Sequence, residues 1–127
     1  MTSSAVPVVR GEWLKPGAHV NAVGACLPTM RELDGAAMAR ATLFVDRRES
    51  CENEAGDYLL AVEEGAIETR HITAELGEVL AGEGPGRTSE DEITVFESLG
   101  LAVEDLAAAE YIERRARESG VGTNVEF

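Results

Sequence analysis

His19-Val20-Asn21-Ala22-Val23-Gly24, followed after a loop by Leu33-Asp34 and Ala36-Ala37-Met38 and then by Thr42-Leu43-Phe44-Val45, is the stretch on which the fold turns. The first run follows a Pro16-Gly17 turn signal, and its small and β-branched residues read as a buried strand that Gly24 ends. Asp34 stands where an N-cap belongs, and Leu33 can staple against Met38, so a short helix starts there. Thr42 to Val45 is a second β-type run. Strand, helix and strand in succession point to a parallel right-handed unit and to the α/β class.

Outward from that unit, Cys51, Ala55, Tyr58, Leu59 and Val62 recur at helical spacing among acidic neighbours and predict one amphipathic helix ending near Gly65. Ile72 to Leu80 reads as weakly helical. Gly82 to Gly86 is a loop by its glycine and proline content. Ile93 to Phe96 reads as a strand. Leu101 to Ser119 is rich in Ala, Leu, Glu and Arg, carries the i,i+4 pairs Glu110/Arg114 and Glu113/Arg117, and meets Gly120 as a natural stop. Its stripe of Leu106, Ala109, Ile112 and Ala116 reads as packing surface.

The chain has 127 residues and a formal net charge of -13, with 44% hydrophobic and 28% charged residues. That size suits at most one domain, and the composition is that of a folding chain. The negative field disfavours nucleic acid and anionic membrane surfaces, and no apolar run approaches the roughly 20 residues of a membrane span. With no secretory signal in the first ten residues, the cytoplasm is the expected compartment. Cys26 and Cys51 are expected as free thiols. His19 and His71 lie too far apart in sequence for a zinc motif, so no metal is expected.

In open α/β sheets, ligands sit beyond the carboxyl ends of the strands, where loops present backbone N–H groups. Val23-Gly24-Ala25-Cys26 and Ser98-Leu99-Gly100 take that position. Small residues in the first would let a flat ring approach the backbone, and Ser98 adds a hydroxyl in the second. From spacing alone, both are also ordinary strand exits. Gly82-x-Gly84 follows a predicted helix and runs into Pro85, so it is no dinucleotide fingerprint. Cys26 could be a nucleophile only with a base beside it, and a small thiol that packs as a hydrophobe is the alternative.

Gly11 to Ala25, Arg31-Glu32-Leu33-Asp34, Ala74 to Leu80 and Thr94 to Asp105 together closely resemble the ornithine cyclodeaminase/mu-crystallin family, in the same order and over nearly the whole chain. The resemblance implies that residues 1–100 are the C-terminal part of a Rossmann-type NAD(P)-binding domain. It implies that 101–127 are a helix and tail returning to a dimerisation and substrate domain. Met1 to Ser4 would match a strand end, leaving the Gly-x-Gly-x-x-Gly turn and the basic substrate residues upstream. Cofactor contacts are then implied at Thr2, Val23, Gly24, Ala25, Cys26 and Ser98, with Leu99 beside the substrate and NAD or NADP as cofactor of the complete protein.

Cys26 occupies the place of an aspartate that handles protons in the cyclodeaminase branch, whereas mu-crystallin has serine there. An unperturbed thiol is mostly protonated near neutral pH, so it cannot simply replace a carboxylate. The implied activity is reduction of a ketimine or imino acid, or a related amino-acid dehydrogenation, by a homodimer acting on a small amino-acid or cyclic imine substrate. Conversion of ornithine to proline is the alternative enzyme, and a non-catalytic dimerising remnant the alternative from another class.

Overall fold

The computed structural model describes residues Thr2 to Val125. Met1 of the expected strand end, and Glu126 and Phe127 of the expected tail, lie outside the described residues. Thr2 to Ser4 take part in no strand.

A 3₁₀ turn over Gly11–Trp13 precedes β1 (His19–Ala22), α1 (Gly35–Arg40), β2 (Thr42–Val45), α2 (Arg48–Glu54), α3 (Gly56–Glu63), β3 (Ile72–Glu75), α4 (Leu76–Ala81), β4 (Thr94–Glu97) and α5 (Ala102–Ser119). The four strands form one sheet in the order β1-β4-β2-β3, with every neighbouring pair parallel. The parallel unit expected from the first two strands is present, but they are not neighbours. β4 returns from the far end of the chain and pairs with both.

Leu43, Val45 and Val95 point to one face and are fully buried there with Met38, Ala37, Cys51, Ala55 and Ala61, so α1, α2 and α3 cover this side. Phe44 and Phe96 point to the other face. There they line, with His19, Asn21, Leu76, Val79, Arg87 and Thr94, an open trough of about 500 Å³.

Asp34 caps α1, its carboxylate accepting from Ala37 N at 2.7 Å and from Gly11 N at 2.9 Å. Leu33 and Met38 join the same core cluster, as the predicted staple requires. At the other end, His71 Nε2 lies 2.9 Å from Met38 O and 3.1 Å from Ala41 O. Both partners are carbonyls, so this nitrogen carries the proton.

Two expectations are corrected. The single helix from Cys51 to Val62 is broken at Ala55, because Gly56 sits against the carbonyls of Leu27 and Met30 and donates its N–H to Ala25 O at 2.9 Å. Ile72–Glu75 is a strand and only Leu76–Ala81 is helical; Ile72 joins the core cluster, Ala74 is buried beside Phe44 after a register shift, and a capping box between Glu75 and Glu78 switches strand directly to helix. Between α4 and β4 the irregular segment is gathered by Arg87, which donates to Gly17 O at 3.1 Å, Glu92 O at 2.8 Å, Ala18 O at 3.3 Å and Thr94 Oγ1 at 2.9 Å.

α5 is the predicted long helix, with an αL cap at Gly120. None of its residues is buried, and Leu106, Ala109 and Ile112 of its apolar stripe are exposed.

Candidate functional site at the carboxyl edge of the sheet

Because all four strands run parallel, their carboxyl ends fall on one edge. Ala22, Glu97 and Val45 stand level across β1, β4 and β2. The exits that follow, Val23 to Cys26, Ser98 to Gly100 and Asp46, therefore emerge side by side, as the strand-exit rule anticipates.

Three acidic residues hold this edge. Asp46 Oδ2 accepts from Leu99 N and Gly100 N at 2.7 Å each and from Ser98 Oγ at 3.2 Å. Glu32 accepts from Gly24 N at 2.9 Å and from Thr2 N, so one carboxylate brings together two predicted cofactor contacts that lie far apart in sequence. Asp57 Oδ1 accepts from Glu32 N at 2.7 Å and Leu33 N at 2.8 Å. A Cβ at Gly24 would run into the Glu32 carboxylate, so a larger residue there would displace the group that holds this loop. Ala25 is buried, Val23 is exposed, and Leu99 packs partly on the core.

Cys26 is half-buried and its thiol donates to Val23 O at 3.3 Å. Burial, then Glu97, Glu32, Asp46 and Glu54, all push its pKa up. A thiolate is therefore disfavoured, and His19 does not serve it as a base: His19 opens β1, at the opposite end of the strand from Cys26, and bonds Thr94 Oγ1 at 2.7 Å. Cys51 is buried in the core, its pKa raised by burial to a value beyond the physiological range. Both thiols are free.

Sequence reasoning found the two loops and missed the groups that hold them. Glu32, Asp46 and Glu97 are buried carboxyls, whereas acidic residues in so acidic a chain read as solvated. The available signal was positional: Asp46 and Glu97 stand at the carboxyl ends of apolar strands.

A parallel four-stranded sheet with helices on it and its exit loops gathered on one edge defines an α/β fold. The sequence profile of the ornithine cyclodeaminase/mu-crystallin family matches residues 1–120, and the chain belongs to that family. It is 43% identical over 127 residues to the Delta(1)-pyrroline-2-carboxylate reductase of Bacillus cereus, covering 99% of this chain and 39% of that protein. It is 50% identical over 112 residues to the ketimine reductase mu-crystallin of Mus musculus, covering 88% of this chain and 33% of the other. The structure of Thermococcus litoralis Delta(1)-pyrroline-2-carboxylate reductase in complex with NADH and L-proline superposes with a TM-score of 0.86 at 44% identity, over 98% of this chain and 38% of that one. The chain thus spans about 39% of the length of such relatives.

No helix of the described residues is long and apolar enough to cross a membrane.

Proposed function

We propose that this chain supplies the nicotinamide-facing part of an NAD(P)-dependent ketimine or imino-acid reductase. The observation that carries the reading is the paired exit loops at one sheet edge, held by Glu32 and Asp46, in a chain 44% identical to a reductase seen with NADH and L-proline. Residues 1–100 act as the C-terminal part of the dinucleotide domain, and 101–127 return to a dimerisation and substrate domain.

The residues present suit one end of the cofactor. The N–H groups of Gly24, Leu99 and Gly100 already serve carboxylates, and Glu32, Asp46, Asp57 and Glu97 make the edge acidic. A pyrophosphate finds these three donors taken and no positive potential to hold it. A nicotinamide ring, cationic when oxidised, does find a compatible field, with Val23 and the small residues Gly24 and Ala25 under it and Cys26 and Ser98 at its rim. When bound, NAD or NADP supplies the hydride, and the chain's own work is to orient the ring and exclude water. Thr2 borders the same pocket through Glu32, and Leu99 lies on the substrate side.

A protonated thiol at Cys26 favours imine reduction over ornithine cyclisation, because it offers no base to take a proton from an amino carbon. The free thiols fit a cytoplasmic enzyme, and the bare stripe of α5 fits a homodimer.

The test is a chimera in which this chain replaces the matching C-terminal part of the Thermococcus litoralis reductase. It is expected to oxidise NADH or NADPH with a cyclic imine carboxylate, with Cys26→Ser active and Ser98→Ala weaker in cofactor binding. A folded chimera that binds cofactor yet reduces neither cyclic nor open imines overturns the reading. The chain alone is expected to bind NAD(P) weakly or not at all by calorimetric titration, which separates it from a self-sufficient enzyme.

A further inference from the structure

β4 ends on a residue of the wrong kind for its place. Val95 and Glu97 point to the same face, into the core beneath α3, and Glu97 is 1% exposed. The charges of Asp57 from α3, Glu32 from the segment before α1 and Asp46 from the end of β2 act on it, and it acts in turn on the thiols of Cys26 and Cys51. Hydrogen bonds gather the same groups, from Glu32 N and Leu33 N to Asp57, from Gly24 N to Glu32 and from Asp46 N to the Glu97 carbonyl. Three of these four carboxyls hold backbone N–H groups, as described above. Yet Glu97 Oε2 and Asp57 Oδ2 are buried without a donor. Arg31, the cation that faces Asp57, is committed elsewhere: it donates to Leu33 O at 2.8 Å and pairs with Glu64, at 2.7 Å through Nη2. Arg48, which faces Cys51, donates to Ile72 O at 3.1 Å.

Two buried acceptor oxygens without a donor are costly, and one proton shared between them relieves both, because a carboxylic acid is a donor as well as an acceptor. We propose that Glu97 is a positioning residue that keeps a proton in the folded protein and donates it to Asp57, joining β4 to α3 beneath the exit loops. The consequence runs along a chain of contacts already described. Asp57 holds the backbone of Glu32 and Leu33, and the Glu32 side chain holds Gly24. The proton on Glu97 therefore sets the seat of the Val23 to Cys26 loop. That this loop carries a cofactor rests on the proposed function; the proton and its contact do not.

Electrostatics set the order of ionisation. Burial raises Asp57 to about 6 against the two N–H donors that oppose it. Burial, then the charges of Asp57, Glu32 and Asp46, raises Glu97 well above the usual carboxylate range. Asp57 thus ionises first and Glu97 keeps the proton. Both groups hold their protons more tightly folded than unfolded, so the stability they contribute is complete in acid, below the ordinary carboxylate range. It is lost as pH rises through about 6 for Asp57 and higher for Glu97.

Infrared spectroscopy of the full chain near neutral pH is expected to show the carbonyl stretch of a protonated carboxyl, absent in Glu97→Gln. Glutamine can still donate to Asp57, so this variant should keep the slow amide exchange of Gly24 and lose the part of the decline in thermal stability that Glu97 contributes, leaving that of Asp57. Glu97→Met fills the space without donating, and Gly24 exchange should speed about tenfold. No protonated-carboxyl band in the wild-type chain, or equal Gly24 protection in the Gln and Met variants, overturns the proposal. Neither readout depends on cofactor binding, so a failure here and a failure of the reductase reading are distinguishable.

Discussion

Helices α1 and α5 are both rich in alanine, and they stand for opposite reasons. α1 has six residues, fewer than the roughly 12 at which an isolated helix becomes even marginal in water. It exists because Asp34 caps it, Gly11 packs against it, and Ala37 and Met38 are wholly buried. α5 has 18 residues and buries none, leaving Val103 at 65%, Leu106 at 69% and Ile112 at 65% exposure. It is held by propensity, by the pairs Glu110–Arg114, Glu113–Arg117 and Arg115–Glu118, and by its αL cap. A clear amphipathic pattern therefore establishes that a helix forms, and leaves open whether its partner belongs to the same fold.

The strongest way to break the comparison is Met38→Ala. A fully buried side chain of this size should cost about 2–5 kcal/mol on truncation, read by denaturant unfolding, with the far-ultraviolet signal of α5 outlasting the core. Simultaneous melting of both would show that α5 leans on the core after all. Asp34→Ala should cost about 1 kcal/mol, since it removes the cap of α1 and the acceptor for Gly11 N together. Replacing Leu106 and Ile112 with aspartate sharpens the other side. Core unfolding should not shift, while sedimentation should move from associated species to monomer; persistent association would assign it to another surface, with the Phe44–Phe96 trough the first to test. The smallest effect belongs to Arg117→Ala, a slight fall in α5 helicity at low ionic strength that vanishes in high salt, because the pair with Glu113 is exposed.

Much of this architecture could be read in advance, and the exceptions have physical causes. β1, β2 and α1 declared themselves through β-branched runs and a capping aspartate, and the two exit loops followed from strand ends. β3 did not, because at four residues its alternation is too short to outweigh the helical spacing that Leu76 and Val79 continue. The break at Ala55 was invisible for the opposite reason: the stripe keeps its period, and what interrupts it is the tertiary contact of Gly56 with the Met30 carbonyl. The site's carboxyls were hidden because charge in a sequence implies water. Only the fold shows Glu97 and Asp57 to be buried.

Arg87 has a consequence for the irregular segment before β4. Its guanidinium is occupied by the carbonyls of Gly17, Ala18 and Glu92 and by the Thr94 hydroxyl. A protease that cuts after arginine must draw that side chain into its own specificity pocket, which here means unlacing the segment first. This irregular stretch should therefore resist trypsin at Arg87, while Arg114, Arg115 and Arg117 on the bare helix α5 are cleaved early when that helix frays. Nicking would begin where the chain looks most ordered and spare the part that looks loosest.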